Sequence, residues 1–428
     1  MDILYLAHRL PYPPNKGDKI RSFHQIEYLS RSHRIWCACF VDDPADMTHV
    51  DVLRGYCRAV AAIPLNRKLA AVRGLVGLLC GGTLTEDFYN DRRMWATLRK
   101  WSQRVHFDAV MVFSSGMAPY GLAVSARRRA IDFCDWDSLK WAAYAQNHRG
   151  LRSLLMKLEA RRLDRRERQW INEYDASVVI TDAEADDFPG QSPGAAGFSP
   201  RGVSSSQRTR ITVIGNGVEL RPYAPPPTAP RVGFVGAMDY PPNVDAVCRF
   251  AERVWPLIRR EIPEATFRIV GRRPTARVRG LARHPGIEVV GEVPDVGRHV
   301  DDCPVHAILL CVARGLQNKV LEAMAAGRAV VLSSAAARGI GGKDGRDYLI
   351  ADDPRSAANA IVSLLRNPDH AAALGCSARA FVQECFNWDR ELGRLEALLT
   401  GEHKLPHEAL VESRTNAPAV VAAHVSAG

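Results

Sequence analysis

The stretch of the chain best equipped for chemistry runs Ala313-Arg314-Gly315-Leu316-Gln317-Asn318-Lys319-Val320-Leu321-Glu322 and continues as Ala323-Met324-Ala325-Ala326-Gly327-Arg328-Ala329-Val330-Val331. An apolar run ends, a glycine-containing loop turns, and a helical pattern begins near Asn318. Backbone N–H groups at a helix start have no partner within the helix and present themselves to an anion. Arg314 and Lys319 add positive charge there. Glu322 falls one turn into the helix, where a carboxylate accepts from two vicinal ribose hydroxyls. These residue types at this spacing describe a diphosphate-plus-ribose site. Spacing alone leaves one alternative open, an ordinary strand–loop–helix with a solvated salt bridge.

A second candidate is Asp132-Phe133-Cys134-Asp135-Trp136-Asp137-Ser138, where two carboxylates follow the end of an apolar run. Asp135 or Asp137 is placed to orient or deprotonate an acceptor hydroxyl; capping of the next helix by Asp137-Ser138 is the alternative. Gly339-Ile340-Gly341-Gly342-Lys343-Asp344 lacks the spacing and the Ser/Thr of a phosphate loop and reads as a turn. His8 reads as a strand-end histidine.

The elements that must hold these residues alternate between strand and helix. Strands are expected at 3–7, 35–41, 60–64, 109–113, 130–134, 176–180 and 211–214, with helices at 20–29 and 151–173 among those between them. Residues 187–207, rich in Pro, Gly and Ser, read as a loop, and 222–230, with five prolines, as an interdomain linker. The alternation then restarts, with strands at 232–235, 267–270, 288–290, 306–312 and 329–332 and helices at about 243–261, 318–326 and 354–365. The expected fold class is α/β, two parallel-sheet Rossmann-like lobes facing across a cleft. The lobes are placed at 1–221 and 231–385, followed by a helix at 386–400 and a disordered tail at 401–428.

Composition agrees with a folded chain. Of 428 residues, 46% are hydrophobic and 24% charged, enough to build large cores and too apolar for a disordered protein. The net charge of +10 is concentrated before residue 230, which points to anionic partners for that half or to simple solubility. No recognition motif or aromatic-interleaved basic surface supports nucleic-acid binding. The ten cysteines include no C-x-x-C pair, so neither a zinc site nor a disulfide framework is expected. No uninterrupted apolar run reaches the ~18 residues of a membrane span, and no signal peptide is visible. The expected location is cytoplasmic. Residues 68–79 and the Arg-rich 151–173 helix each read either as an interfacial surface on an anionic membrane or as a core-facing helix with a solvated basic face.

Lys319–Val331 resembles the donor-site helix of the family 4 glycosyltransferases, enzymes of the two-lobed GT-B fold. Four further segments fall in the family's order. Pro13-Pro14-Asn15-Lys16-Gly17-Asp18 is similar to its glycine loop, and Val179-Ile180-Thr181-Asp182-Ala183-Glu184 to its V-S-x-x-E element. Ile214-Gly215-Asn216-Gly217-Val218-Glu219-Leu220-Arg221-Pro222-Tyr223 resembles its P-N-G-V-D-x-x-x-F signature. Phe386-Asn387-Trp388-Asp389 resembles the aromatic segment before its last helix, which in this fold crosses back to the first lobe. Residues 132–141, Gly236-Ala237-Met238-Asp239-Tyr240-Pro241-Pro242-Asn243 and 313–319 are together similar to the sugar transferases that accompany the exosortase/PEP-CTERM system in exopolysaccharide clusters.

The resemblance implies a retaining, metal-independent transferase that moves a sugar from a nucleoside diphosphate sugar to a polyprenyl-linked glycan, with no other cofactor. It implies that Glu322 binds the ribose and that Arg314, Gly315, Asn318 and Lys319 face the diphosphate and sugar. Gly17 and Gly236 would approach the phosphates, and Gly271 and Val293 would frame the base. Asp135 and Asp137 stand near the family's catalytic position. Two departures stand out. Arg314 replaces the family's first donor-site glutamate, and Met238 and Asn243 stand where an Arg…Lys pair is usual, leaving Lys319 and Arg314 to neutralise phosphate. A GT-B sugar-nucleotide epimerase and a non-catalytic nucleotide-sugar-binding partner are the rival readings.

Overall fold

The computed structural model describes residues 1–146, 148–187, 211–313 and 315–402. Arg314, most of the expected loop at 187–207 and nearly all of the expected tail at 401–428 lie outside the described residues.

The first lobe is built on seven parallel strands: β1 (Asp2–Ala7), β2 (Arg34–Val41), β3 (Ala59–Pro64), β4 (Phe107–Phe113), β5 (Ala126–Cys134), β6 (Ala176–Val179) and β7 (Ile211–Val213). Their order is β3-β2-β1-β4-β5-β6-β7, so the winding reverses between β1 and β4. Helices cover both faces, and the strand sequences are therefore apolar on both sides rather than alternating. Leu4, Leu6, Ala38, Phe40, Val110 and Val112 enter one core. Their strand neighbours Ile3, Tyr5, Ala7, Cys37, Cys39, Met111 and Phe113 enter the other. Period-two alternation across a pleated sheet sorts the residues this way.

The second lobe has six parallel strands: β8 (Arg231–Val235), β9 (Thr266–Val270), β10 (Ile287–Gly291), β11 (Val305–Ile308), β12 (Ala329–Leu332) and β13 (Leu349–Ile350). The order β10-β9-β8-β11-β12-β13 again reverses beside the first strand. The strand expected to reach Val312 ends at Ile308, because the chain there leaves the sheet for the cleft loop. Two-residue β13 and the helix Pro368–Cys385 have no counterpart in the sequence reading.

The helix Trp388–Thr400 returns to the first lobe. Leu392, Leu395 and Leu399, spaced along one helix face, are buried in the same core as Ile3 and Tyr5. Trp388 stacks on His24 with ring centres 4.3 Å apart, and Asn387 caps the helix by accepting from Arg390 N–H. The fold thus has two Rossmann-like lobes and a closing helix, as the sequence implied.

Candidate active site

Parallel α/β sheets expose ligands' sites at the carboxyl ends of their strands, beside the point where the winding reverses. In the second lobe that point lies between β8 and β11. The helix Asn318–Ala325 begins there and carries Asn318, Lys319 and Glu322. Its inner face is buried through Val320, Leu321, Ala323 and Met324, which fixes its axis against the sheet. Lys319 and Glu322 remain partly open to solvent on the cleft floor while surrounded by protein. Burial pushes the Glu322 carboxyl up to about 7, against the pull of Lys319 and Arg221. Burial likewise pushes the Lys319 ammonium down to about 8, which Glu322 counters. A carboxylate and an ammonium held this way lack the hydration that would stabilise them in water, so each is poised to exchange its surroundings for a ligand.

Lys319 is aimed rather than loose. Its Nζ donates to Asn243 Oδ1 at 2.8 Å and lies 5.7 Å from the centre of the Phe234 ring. Asn243 in turn donates to the Ala237 carbonyl at 3.0 Å, which fastens it to the turn after β8. Asn243, which stands where the family's lysine is usual, therefore serves as the support of Lys319. The turn is close-packed. A Cβ at Gly236 would stand 2.7 Å from Asn243 Nδ2, and one at Gly271, whose φ is +155°, would run into the Gly236 carbonyl. Both positions need glycine, and both border the cleft floor. Val293, half-buried, follows β10 on the same rim.

Other expected residues are partly committed to the protein itself. The Gly315 N–H donates to Glu184 Oε1 of the first lobe at 3.0 Å, and Gly315 adopts φ +61°. Asn318 accepts at Oδ1 from Asn216 Nδ2, also of the first lobe, at 3.0 Å. Gly17 lies above: a Cβ there would be 3.6 Å from Asn318 Nδ2. Gly339 backs the loop before the helix Asn318–Ala325, its own missing Cβ 3.0 Å from the Gly315 carbonyl.

Across the cleft, Asp135 and Asp137 converge on one cation. Lys140 Nζ lies 2.5 Å from Asp135 Oδ1 and 3.0 Å from Asp137 Oδ1. The two carboxylates hold the Lys140 ammonium well above the usual lysine range despite its burial. Asp137 opens the helix Asp137–Gln146, and Ser138 turns its N–H and hydroxyl to buried Glu167. Asp135 faces the loop that carries Gly315, 3.5 Å from where a Gly315 Cβ would be. Among the described residues no three His, Cys, Asp or Glu side chains form a metal-binding group.

Sequence reading missed Glu184's reach to the opposite lobe, the Asn216–Asn318 bond and Lys140. It also missed Arg221, which ion-pairs with Asp301 at 3.0 Å and lies close enough to Glu322 to lower its pKa. Glu184 and Asn216 sit inside motifs that the sequence did mark. Their partners lie more than a hundred residues away, and no local spacing reveals them.

The Arg-rich helix Leu151–Glu173 spends much of its charge internally. Arg162 donates to the carbonyls of Leu78 and Gly82, Arg166 pairs with Glu86 at 2.6 Å, and Arg168 pairs with Asp164 at 3.1 Å. The helix Arg67–Leu79 differs. Leu69, Val72, Val76 and Leu79 are 61, 60, 53 and 69% exposed. Among the described residues no helix is long and apolar enough to cross a membrane.

Residues 229–367 match the family described as Glycosyl transferases group 1, so the second lobe carries that domain. Sucrose-phosphate synthase from Thermosynechococcus elongatus is similar at 17% identity, with TM-score 0.66, over 94% of this chain and 98% of that one. Anabaena HepE in complex with UDP and glucose is similar at 14% identity, with TM-score 0.63, over 94% and 100%. TarM of S. aureus, in complex with fondaparinux, α-GlcNAc-glycerol and UDP, is similar at 12% identity, with TM-score 0.62, over 93% and 99%. At these identities the likeness shows the GT-B fold. No curated protein matches the chain.

Proposed function

We propose that this chain is a retaining, metal-independent glycosyltransferase that moves a sugar from a nucleoside diphosphate sugar to a polyprenyl-linked glycan in exopolysaccharide assembly. The observation that carries the reading is the pairing of Glu322 and Lys319 on the cleft floor, under the turn made by Gly236 and Gly271. Glu322 accepts from the ribose hydroxyls, and Lys319 faces the diphosphate. Transfer breaks the bond from the anomeric carbon to the phosphate oxygen and forms one to the acceptor oxygen; the acceptor's proton leaves with the diphosphate. Fixed positive charge stabilises that leaving group. Asp135, on the opposite wall, orients the acceptor hydroxyl, and Lys140 keeps the Asp135–Asp137 pair in place.

The motifs shared with the transferases of exosortase/PEP-CTERM clusters support the exopolysaccharide role. The exposed apolar stripe of Arg67–Leu79, with Arg67 and Lys68 at its start, supports peripheral contact with the inner face of an anionic membrane. UDP-sugars head the donor screen because HepE and TarM are solved with UDP.

The test is a thermal-shift screen of UDP-, GDP- and ADP-sugars with Glu322→Ala as control, followed by turnover with a lipid-linked acceptor. A stabilising donor whose effect is lost in the variant, and a lengthened glycan, are expected. An isomerised free nucleotide sugar would identify an epimerase instead, and donor binding without any turnover a non-catalytic partner.

A further inference from the structure

The turn after β8 holds no cation at Met238 or Asn243, and a diphosphate leaving group is stabilised by each further positive charge fixed beside it. Two further cations, Lys16 of the first lobe and Arg272 of the second, lie close enough for the charge of one to press on the other. Lys16 ends the loop after β1 and precedes the helix Gly17–Ser30, and Gly17 lies over Asn318. Arg272 follows β9. Its carbonyl accepts from Met238 N–H at 3.0 Å, and its neighbour Gly271 lies under the Gly236 carbonyl. The loop carrying Arg272 is fastened across the cleft, since Arg273 Nη2 lies 2.7 Å from Asp43 Oδ2 of the first lobe.

Neither cation is engaged in an ion pair among the described residues. Nearby Arg9 has Asp18 at 2.7 Å and Asp42 at 3.2 Å. Among the described residues, neither Lys16 nor Arg272 has a carboxylate partner within ion-pair distance, and Arg272 Nε is buried without an acceptor. Burial, then Arg9, then Arg272 press the Lys16 ammonium below the usual lysine range, against the pull of Asp42 and Asp18. Like charges gathered in a partly desolvated gap repel one another and disfavour the empty cleft, and a dianion between them reverses the sign.

We propose that Lys16 and Arg272, one from each lobe, clamp the diphosphate of the donor from two sides and stand in for the basic pair absent at 238 and 243. The inference rests on the nucleotide-sugar reading and names the residues that hold its leaving group. It also makes the phosphate site complete only when both lobes contribute.

The test measures affinity for UDP, GDP and ADP, for the matching monophosphates and for inorganic pyrophosphate, in the wild type, Lys16→Met, Arg272→Met and the charge-keeping Lys16→Arg and Arg272→Lys. Each methionine variant should bind the preferred diphosphate at least fivefold more weakly. The monophosphate should change by less than twofold, and the charge-keeping variants should recover most of the loss. Diphosphate affinity within twofold of wild type in both methionine variants overturns the clamp, as does an equal loss of mono- and diphosphate. Pyrophosphate binding that follows the same pattern without any nucleotide binding keeps the clamp and overturns the nucleotide-sugar reading. Absence of both overturns both.

Discussion

Asn216 of the first lobe donates through Nδ2 to Asn318 Oδ1 at the start of the second lobe's site helix, 3.0 Å away. The bond ends a chain of buried polar groups. Tyr5 donates to Gln25, Gln25 and Arg21 both donate to Asp132 at 2.7 Å, and Arg21 Nη1 donates to Asn216 Oδ1 at 3.0 Å. The interior of one sheet is thereby linked to the helix that carries Lys319 and Glu322.

Asn318→Ala should cost about 1 kcal/mol of stability, the usual worth of one such bond, while lowering kcat/KM more than that loss implies. Asn216→Ala, which also removes the acceptor of Arg21, should cost more, and the double variant should be no worse than Asn216→Ala. Denaturant titration and steady-state kinetics on the three variants check this; fully additive losses would separate the two residues.

Arg21 and Asp132 are both wholly buried. Arg21→Met leaves an uncompensated carboxylate and should destabilise by roughly 3–5 kcal/mol. Adding Asp132→Asn should restore part of that loss. Urea unfolding of both variants measures the difference.

The pH dependence follows from two groups. Glu322 must be ionised to accept from hydroxyls, which happens above about 7. Lys319 must be protonated to face phosphate, which fails above about 8. Diphosphate affinity in the free protein should therefore pass through a narrow maximum between these values. Glu322→Gln should remove the acid limb and move the alkaline one to lower pH, because the Glu322 charge supports the Lys319 ammonium, as isothermal titration across about pH 6–9 would reveal.

Glu322→Ala should weaken nucleotide binding by roughly 1–3 kcal/mol, the worth of a hydrogen bond to a charged group. The same carboxyl is a stability cost when ionised. Its folded pKa lies above its unfolded one, so stability falls as pH rises from the unfolded value through about 7. Glu322→Gln should then raise the melting temperature at pH 8 and leave it unchanged at pH 4, a gain on the order of 1 kcal/mol.

Leu69→Asp with Val76→Asp changes only exposed side chains. The pair should leave melting unchanged and lower binding to anionic vesicles at least tenfold, and wild-type binding should weaken with added salt. Vesicle flotation decides; equal recovery of both proteins at all salt concentrations would return this helix to an ordinary surface.

Much of the architecture was legible because parallel strands buried on both faces write themselves as apolar runs, and Leu4-Tyr5-Leu6 or Ala329-Val330-Val331 allow no other reading. The cleft loop after β11 was extended too far as strand because Leu309, Leu310 and Val312 are as apolar as the strand they follow. The helix Asn318–Ala325 was legible because an apolar run, a glycine turn and a helical pattern follow one another within one short stretch. Lys140 and Asn243 were not, since each acts by holding another residue, and only folded geometry shows whom a side chain serves. Asp135 and Asp137 were noticed as a pair, yet the cation between them lies on the next turn.

The helix Trp388–Thr400 also has a consequence for how the chain is made. Ile3 and Tyr5 leave the ribosome almost 400 residues ahead of the leucines that cover their side of the sheet. At synthesis rates of ~5–20 residues per second the first lobe waits on the order of tens of seconds with that seam open. Its early folding is therefore provisional, and the first lobe is completed only after the second has been made.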